Sequence, residues 1–368
     1  MRRGLMSWSP EEMPAAQLDA RVRQVQALMN EHGWAATLIY TSIACPGAVH
    51  WLTHFTPYWS EAMLVVLPTG APVMLASLSK RVHPWMREVA HLGELIATPR
   101  LGEGTARLLT ERTPAQSCIA VLDFDALPFS VAAPLTRGYA ANRWANASMP
   151  FQRLRTGTDA HELALIERAD AIARSALQNV PSHAATAAEL GGAIEAHARL
   201  AGAEDLIQRI APDLSHPGSL QRIDGPQALG TCYAVEVSLA YKGAWVRRVR
   251  NVTRLSTPQS LEVDKQWARA DAWWAQSIAS LGADAAAHAR SDPPGMLQRW
   301  TLEGPGNALP LQSVDSAPQP PAASASRAPW AVLSAHLRLD GIDWFGAAPI
   351  RWHEYRYSPF GNASSLPA

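Results

Sequence analysis

The chain lacks a net charge, a cysteine framework and any long apolar run. Lys plus Arg number 32 and Asp plus Glu number 32 in 368 residues, so no net field attracts it to nucleic acid or anionic lipid. Its three cysteines show no CxxC spacing, which excludes a disulfide framework and favours a reducing compartment. No stretch reaches the ~18 apolar residues of a membrane span, and the N-terminal MRRGLMSWSPEEMP has no apolar signal core. We therefore expect a cytoplasmic protein that binds neither nucleic acid nor a membrane.

Three common catalytic motifs are also missing from the sequence. It contains no GxSxG nucleophile elbow, no GxxxxGK[ST] phosphate loop and no HExxH zinc motif. The composition, 48% hydrophobic and 17% charged, is that of a folded chain rather than a disordered one. At roughly 150 residues per domain the length suggests two domains, which we place at 1–150 and 151–368.

Helical and strand periodicities alternate in the first half. The segment 18–34 has apolar residues at helical spacing, among them Val22, Val25 and Met29, and it therefore predicts an amphipathic helix. Gly33 is its C-cap signal. Short apolar runs rich in strand formers follow, including AATLIYTS, a hairpin in AMLVVLPTGAPVMLAS and the strand in SCIAVLDFDAL. This half is therefore predicted to be an α/β domain.

The second half begins with helices and continues with hairpins. Asp159 or Thr158 precedes a helix with Glu162 at the spacing of a capping box, and Thr186 and Glu189 repeat that spacing before a second helix. The segment CYAVEVSLAYKGAWVRRVRNV predicts two strands joined by a tight turn. Another helix over about 263–287 and closing strands in WAVLSAHLRL and APIRWHEYRY complete an α+β domain, with a loop rich in Pro, Ala and Ser at 313–329.

The order of these segments resembles the creatinase/prolidase/aminopeptidase P family, whose catalytic domain has the pita-bread fold. RVRQVQALMNEHGWAATLIYTS with VHWLTHF resembles the start of that family's N-terminal domain, and LRTGTDAHELALIERADAIARSAL, with Arg155 and Glu162, resembles its domain junction. The hairpin at 232–252 resembles the one that carries two metal-binding aspartates. The resemblance implies a creatinase-like α/β N-terminal domain followed by an α+β pita-bread domain.

The resemblance also implies that the family's dinuclear metal site has been lost. Glu236 stands at the first aspartate position, but Arg247 stands at the second, and a guanidinium does not ligate a cation. Its charge would repel a cation by roughly 4 kcal/mol per unit charge at ~4 Å and an effective dielectric of about 20. Pro305 replaces the histidine of the family's GHG motif, and the two glutamate positions fall near Ala335 and Ile350. We expect no metal and no other cofactor.

Metal-free members of the family, such as creatinase, use a histidine as general acid/base. His216, in Ser215-His216-Pro217, lies upstream of the first aspartate position as that histidine does, and an imidazole titrates near neutral pH. The alternative is a loop histidine without a role. Glu236 is the second predicted catalytic residue.

Three residues are candidates for substrate binding. Arg247 could clamp a substrate carboxylate, or form a structural ion pair with Glu236 that fills the former metal site. His336 and Arg338 share one face of a strand and could reach the same site, or form an ordinary strand pair. Arg248 should be solvated because it alternates with Arg247.

Two functions follow from these residues. The first is a metal-independent hydrolase, or related C–N bond-cleaving enzyme, of a small amino-acid-derived substrate. The alternative is a catalytically inactive member that acts as a binding protein or pairs with an intact relative. In either case we expect a homodimer or a heterodimer, by analogy with the family.

Overall fold

The structure, a computed structural model, describes residues 7–57, 60–138, 143–157, 159–181, 184–223, 225–254, 258–280, 292–316, 329–353 and 356–359. The chain divides into two units. The N-terminal unit comprises residues 5–157 together with 305–312, and the C-terminal unit comprises residues 158–304 and 313–368 with a few residues at the N-terminus.

The N-terminal unit is a mixed six-stranded sheet between helices. Its elements are α1 (Ala15–His32), β1 (Trp34–Thr41), α2 (Gly47–Thr53), β2 (Ala62–Val66), β3 (Val73–Ala76), α3 (His83–Val89), β4 (Glu94–Ala97), α4 (Leu101–Arg112), β5 (Cys118–Val121), α5 (Phe129–Gly138), β6 (Trp144–Asn146) and α6 (Ser148–Leu154). The strand order is β4-β3-β2-β1-β5-β6. Strand β1 is antiparallel to β2 and parallel to β5. Both faces are buried, so β2 has no exposed residue.

Local sequence signals set the helix ends of this unit as predicted. Helix α1 ends at Gly33, whose left-handed backbone (φ 68°) lets its N–H reach the carbonyls of the last turn. The apolar stripe of α1, with Val22, Val25 and Met29, packs into one core cluster with α2 and α6. A second cluster lies on the opposite face of the sheet, under α4 and α5.

The C-terminal unit contains two antiparallel sheets with helices packed on them. Its elements are α7 (Ala160–Gln178), α8 (Ala187–Leu200), β7 (Asp205–Ala211), β8 (Cys232–Tyr241), β9 (Ala244–Thr253), α9 (Pro258–Ser280), β10 (Met296–Gly304), β11 (Gln312–Ser316), β12 (Trp330–Leu339), β13 (Ile342–His353) and β14 (Arg356–Pro359). The strand orders are β7-β8-β9 and β11-β10-β12-β13-β14. Residues 313–316, predicted to lie in a loop, belong to β11, while 317–328 lie outside the described residues.

The predicted caps and turn of this unit are present. The Asp159 side chain accepts hydrogen bonds from the N–H groups of His161 and Glu162 at the start of α7. Thr186 caps α8 by accepting from the N–H of Glu189. These local interactions position α7 and α8 against β8, β9 and β7.

The two sheets of the C-terminal unit meet at β9 and β13. The Asn251 side chain on β9 donates to the Phe345 carbonyl at 2.8 Å and accepts from the Phe345 N–H at 3.2 Å. An apolar cluster formed by β8, α9, β10, β12 and β13, including Trp267, Trp300 and Trp344, fills the space beside this junction. The candidate residues Glu236, Arg247, His336 and Arg338 lie on strands of these two sheets.

Candidate functional site

A cluster of charged side chains links the two sheets of the C-terminal unit. Glu236 and Ser238 lie on β8, Arg247 lies opposite Ser238 on β9, and Glu303 lies near the end of β10. The Arg247 guanidinium donates through Nε to Ser238 Oγ at 3.0 Å and through both terminal nitrogens to the Glu303 carboxylate. Its Nε is also 3.8 Å from Glu236 Oε1. We call these four residues the Arg247 cluster.

Glu236 is the most buried member of the Arg247 cluster. Its side chain is 7% exposed, and Arg209 on β7 approaches its Oε1 to 3.5 Å. Burial raises the pKa of Glu236 above its ordinary value, and the positive charges of Arg247 and Arg209 only partly oppose that rise. Oε1 is a buried acceptor for which no hydrogen-bond donor is found among the described residues. Such an unmatched acceptor is costly in a protein interior.

A second polar cluster lies on β12 and β13. Side chains of β12 alternate, so that Ala335 and Leu337 face the apolar core while His336 and Arg338 face the other side. Asp343 on β13 is buried, with a side chain 0% exposed, and it accepts from His336 Nε2 at 2.9 Å. It also accepts from Arg338 through two nitrogens, at 2.9 and 3.2 Å. We call His336, Arg338 and Asp343 the Asp343 cluster.

Asp343 is held in its ionised form by its donors. Burial works against the charge, but hydrogen bonds from Arg338, the Gly218 N–H and His336 outweigh it and lower the pKa of Asp343. Because an ionised carboxylate only accepts hydrogen bonds, the Nε2 of His336 carries the proton of the neutral ring. The Nδ1 lone pair of His336 therefore remains available as a base.

The His336 imidazole is held by its hydrogen bond to Asp343 and by a stacked aromatic ring. It stacks on Phe345, with ring centroids 4.4 Å apart. Burial lowers the pKa of His336, and its bond to Asp343 only partly offsets that effect, while Arg338 and Arg299 lower the pKa further. The lowered pKa favours the neutral ring, and the two contacts fix its orientation, as a general base requires.

Arg299 is a site residue that the sequence analysis missed. It lies opposite His336 in the β10–β12 pairing, and its charge lowers the pKa of both His336 and Glu236. It is exposed, and no hydrogen bond or ion pair is found for it within the described part of the chain. Trp300 and Leu302 on β10 are buried, so Arg299 and Glu303, which alternate with them, lie on the polar face of that strand. This alternation is the sequence signal that indicates Arg299.

The structure places the predicted acid/base His216 in the loop between β7 and β8. Its side chain is exposed, and its charge acts on Asp213. Two residues further on, the Gly218 N–H donates to Asp343 at 2.7 Å, which fixes this loop beside the Asp343 cluster. No contact between His216 and Glu236 is found among the described residues. The structure thus brings together Glu236 with Arg247, and His336 with Arg338, but joins neither pair to the His216 side chain.

The prediction that Arg248 is solvated is wrong. Its guanidinium is 17% exposed and donates to both oxygens of buried Asp170 on α7, at 2.6 and 3.0 Å. Strand alternation turned Arg248 away from Arg247 as expected, but α7 covers that face of the sheet. The covering helix supplies a carboxylate that strand periodicity does not indicate.

The residues present do not fit the two metal ions that the resemblance implies. Arg247 places a permanent positive charge between Glu236 and Glu303. Ala335 and Ile350 lie in the apolar core cluster. Pro305 belongs to the segment 305–312 of the N-terminal unit. Within the ranges that the structure describes, no group of three or more His, Cys, Asp or Glu side chains is arranged to hold a metal ion.

The chain has the fold of known proline-specific peptidases. A prolidase from Thermococcus sibiricus superposes with a TM-score of 0.70 at 15% identity, covering 95% of this chain and 98% of that chain. An X-Pro aminopeptidase from Thermotoga maritima gives 0.70 at 13% identity, covering 93% and 97%. An Xaa-Pro dipeptidase from Bacillus anthracis gives 0.69 at 14% identity, covering 95% and 98%.

These likenesses confirm the predicted fold class, an α/β domain followed by a pita-bread domain. At such identities they establish the fold alone. No family model matches the sequence, and no curated protein is similar to it. Among the helices of the described residues, none has the length and apolar composition to cross a membrane.

Proposed function

We propose that the protein is a metal-independent hydrolase of a C–N bond in a small amino-acid-derived carboxylate. The observation that carries this proposal is the His336–Asp343 dyad: an oriented imidazole on a buried carboxylate, with the exposed Arg299 at the paired position of the neighbouring strand. In this proposal His336, rather than His216, is the general base.

The chemistry needs only water and the substrate. Nδ1 of His336 takes a proton from water as the water oxygen bonds to the carbonyl or amidine carbon. The same proton then passes to the leaving nitrogen as the C–N bond breaks, which restores neutral His336. Asp343 stabilises the imidazolium formed between these steps, since its charge lies 2.9 Å from Nε2. Arg299 holds the substrate carboxylate, as planar guanidinium groups do well.

The test measures amine release from a panel of substrates by full-length protein in EDTA. The panel contains N-acyl amino acids, guanidino acids and Xaa-Pro dipeptides, each beside its carboxyl-amidated analogue. We expect turnover that EDTA does not reduce. His336→Ala should lower kcat/KM by about 10²- to 10⁴-fold, the usual contribution of a general base. Arg299→Ala should raise KM about tenfold or more for the carboxylate but not for its amide.

Two further variants make the assignment specific. His216→Ala tests the acid/base role predicted from sequence, and we expect it to retain most of the activity because its side chain is exposed and bonded to none of the proposed groups. His91→Ala, on the N-terminal unit, is a control for loss of a histidine in general. Activity that needs an added divalent ion, or full activity in His336→Ala, would refute the mechanism.

A second candidate function is a non-catalytic binding protein that pairs with itself or with an intact relative. Arg247 favours this function because its Nε donates to Ser238 and both of its terminal nitrogens donate to Glu303. The guanidinium is thus directed at side chains of the protein itself. Absence of turnover across the whole panel, with co-purification of a catalytically intact relative, would favour this function over hydrolysis. A mass measurement of the purified protein distinguishes the predicted homodimer from a monomer.

A further inference from the structure

Arg247 occupies a position where two carboxylates and a hydroxyl of the C-terminal unit converge. Glu303 receives both terminal nitrogens, Ser238 Oγ receives Nε at 3.0 Å, and Glu236 Oε1 lies 3.8 Å from Nε. The side chains of Arg247, Glu236 and Glu303 are 15%, 7% and 16% exposed. Two carboxylates this little solvated are not both ionised around one position unless a cation lies between them.

The unmatched oxygen of Glu236 indicates that the hydrogen bonds of Arg247 do not satisfy every oxygen of this site. Oε1 belongs to a side chain that is more than nine-tenths buried, and the described residues supply no hydrogen-bond donor to it. Arg209 compensates its charge only from a partly exposed position, at 3.5 Å. The three side chains around Arg247 therefore form a preformed set of acceptors for a cation.

We propose that Glu236, Glu303 and Ser238 form a cation-binding site whose resident cation is the Arg247 side chain. The cation at the centre of these acceptors is a guanidinium covalently attached to the chain rather than a free ion. A guanidinium carries its charge at every accessible pH and does not dissociate from the protein. The site therefore does not depend on metal supply, and a free cation enters only when the Arg247 side chain is removed.

The inference is tested by emptying the site and offering free cations. Arg247→Ala is unfolded thermally with and without about 50 mM guanidinium chloride, a concentration far below that which denatures proteins. Tetramethylammonium chloride at the same concentration controls for ionic strength, and 1 mM MnCl₂ probes the site with a divalent ion. We expect guanidinium, Mn²⁺ or both to raise the Tm of Arg247→Ala by about 2–5 °C, as ligands that bind only the folded state do.

The wild-type protein and Arg248→Ala are the matched controls. In wild type the site is filled, and Arg248 pairs with Asp170, which lies outside the Arg247 cluster. Neither protein should be stabilised by these cations. An equal rise in Arg248→Ala, or no rise in Arg247→Ala with either cation, would overturn the proposal.

A second comparison applies even if Arg247→Ala does not fold. Removing the charge of Glu303 together with that of Arg247 leaves one buried carboxylate in place of two, so Arg247→Met/Glu303→Gln should melt higher than Arg247→Met alone. If the double variant is no more stable than the single one, the carboxylates do not need a cation and the proposal fails. Neither measurement uses catalytic activity, so its outcome is independent of the proposed hydrolysis.

Discussion

The buried ion pair between α7 and β9 gives the sharpest prediction about stability. Asp170 is 1% exposed and accepts from Arg248 at 2.6 and 3.0 Å, and from Arg174 at 3.1 Å. Arg248→Met removes two of these three hydrogen bonds and leaves a buried carboxylate. Breaking a buried pair by deleting one partner costs about 3–5 kcal/mol, and because Arg174 remains we expect about 3 kcal/mol.

Two companion variants separate the buried charge from lost packing. Arg174→Met removes a partner of the same carboxylate that is 34% exposed, so its cost should not exceed about 1 kcal/mol. Asp170→Leu/Arg248→Met replaces the whole pair by apolar groups and should recover most of the loss, as such replacements do elsewhere.

The assay combines urea denaturation with hydrogen exchange of peptides from α7 and β9. Hydrogen exchange reports the opening of these two elements directly, which matters because the chain has two units that need not unfold together. A loss below about 1 kcal/mol in Arg248→Met, or a double variant no more stable than that single variant, would refute the reasoning. The first result would mean that water reaches Asp170 when Arg248 is absent, and the second that lost packing rather than the buried charge sets the cost.

Two further predictions concern pH and backbone packing. Because the pKa of His336 is lowered on folding, the unfolded chain binds a proton first as the pH falls below the ordinary value of about 6.5. Urea midpoints should therefore fall with pH from about 6.5 down to the lower folded pKa in wild type, and His336→Gln should lose that part of the slope; an unchanged slope would contradict the shift. In the N-terminal unit, an alanine Cβ at Gly47 would lie 2.6 Å from the Gly306 carbonyl oxygen and 2.8 Å from that of Asn307. Gly47→Ala should thus expose the segment 305–312 to limited proteolysis, whereas Gly192→Ala, whose Cβ meets nothing within 4 Å, should be cleaved like wild type.

Much of the fold could be predicted from the sequence because its signals are local. The stripe of α1 and its Gly33 cap, the Asp159 and Thr186 caps, and the turn after Tyr241 each depend on residues a few positions apart. At Lys242 and Gly243 the backbone adopts φ 46° and 76°, as a tight hairpin turn requires. The order of these elements was sufficient to predict the fold.

The candidate site was only partly predictable. The sequence identified Glu236, Arg247, His336 and Arg338 as candidates, and the structure joins the first two and the last two. No motif in the sequence singles out Asp343 among the 32 acidic residues of the chain. The burial of Asp343 and its bond to the Gly218 N–H make it the centre of its cluster.

The sequence by itself predicted most of the secondary structure, the fold class and the set of charged candidate residues. Only the tertiary structure decided what each charge contacts. Arg247 binds a glutamate 56 residues away, Arg248 an aspartate 78 residues away, and Gly218 an aspartate 125 residues away. No local pattern encodes such pairs, because the partner of a buried charge is set by which strands and helices pack together.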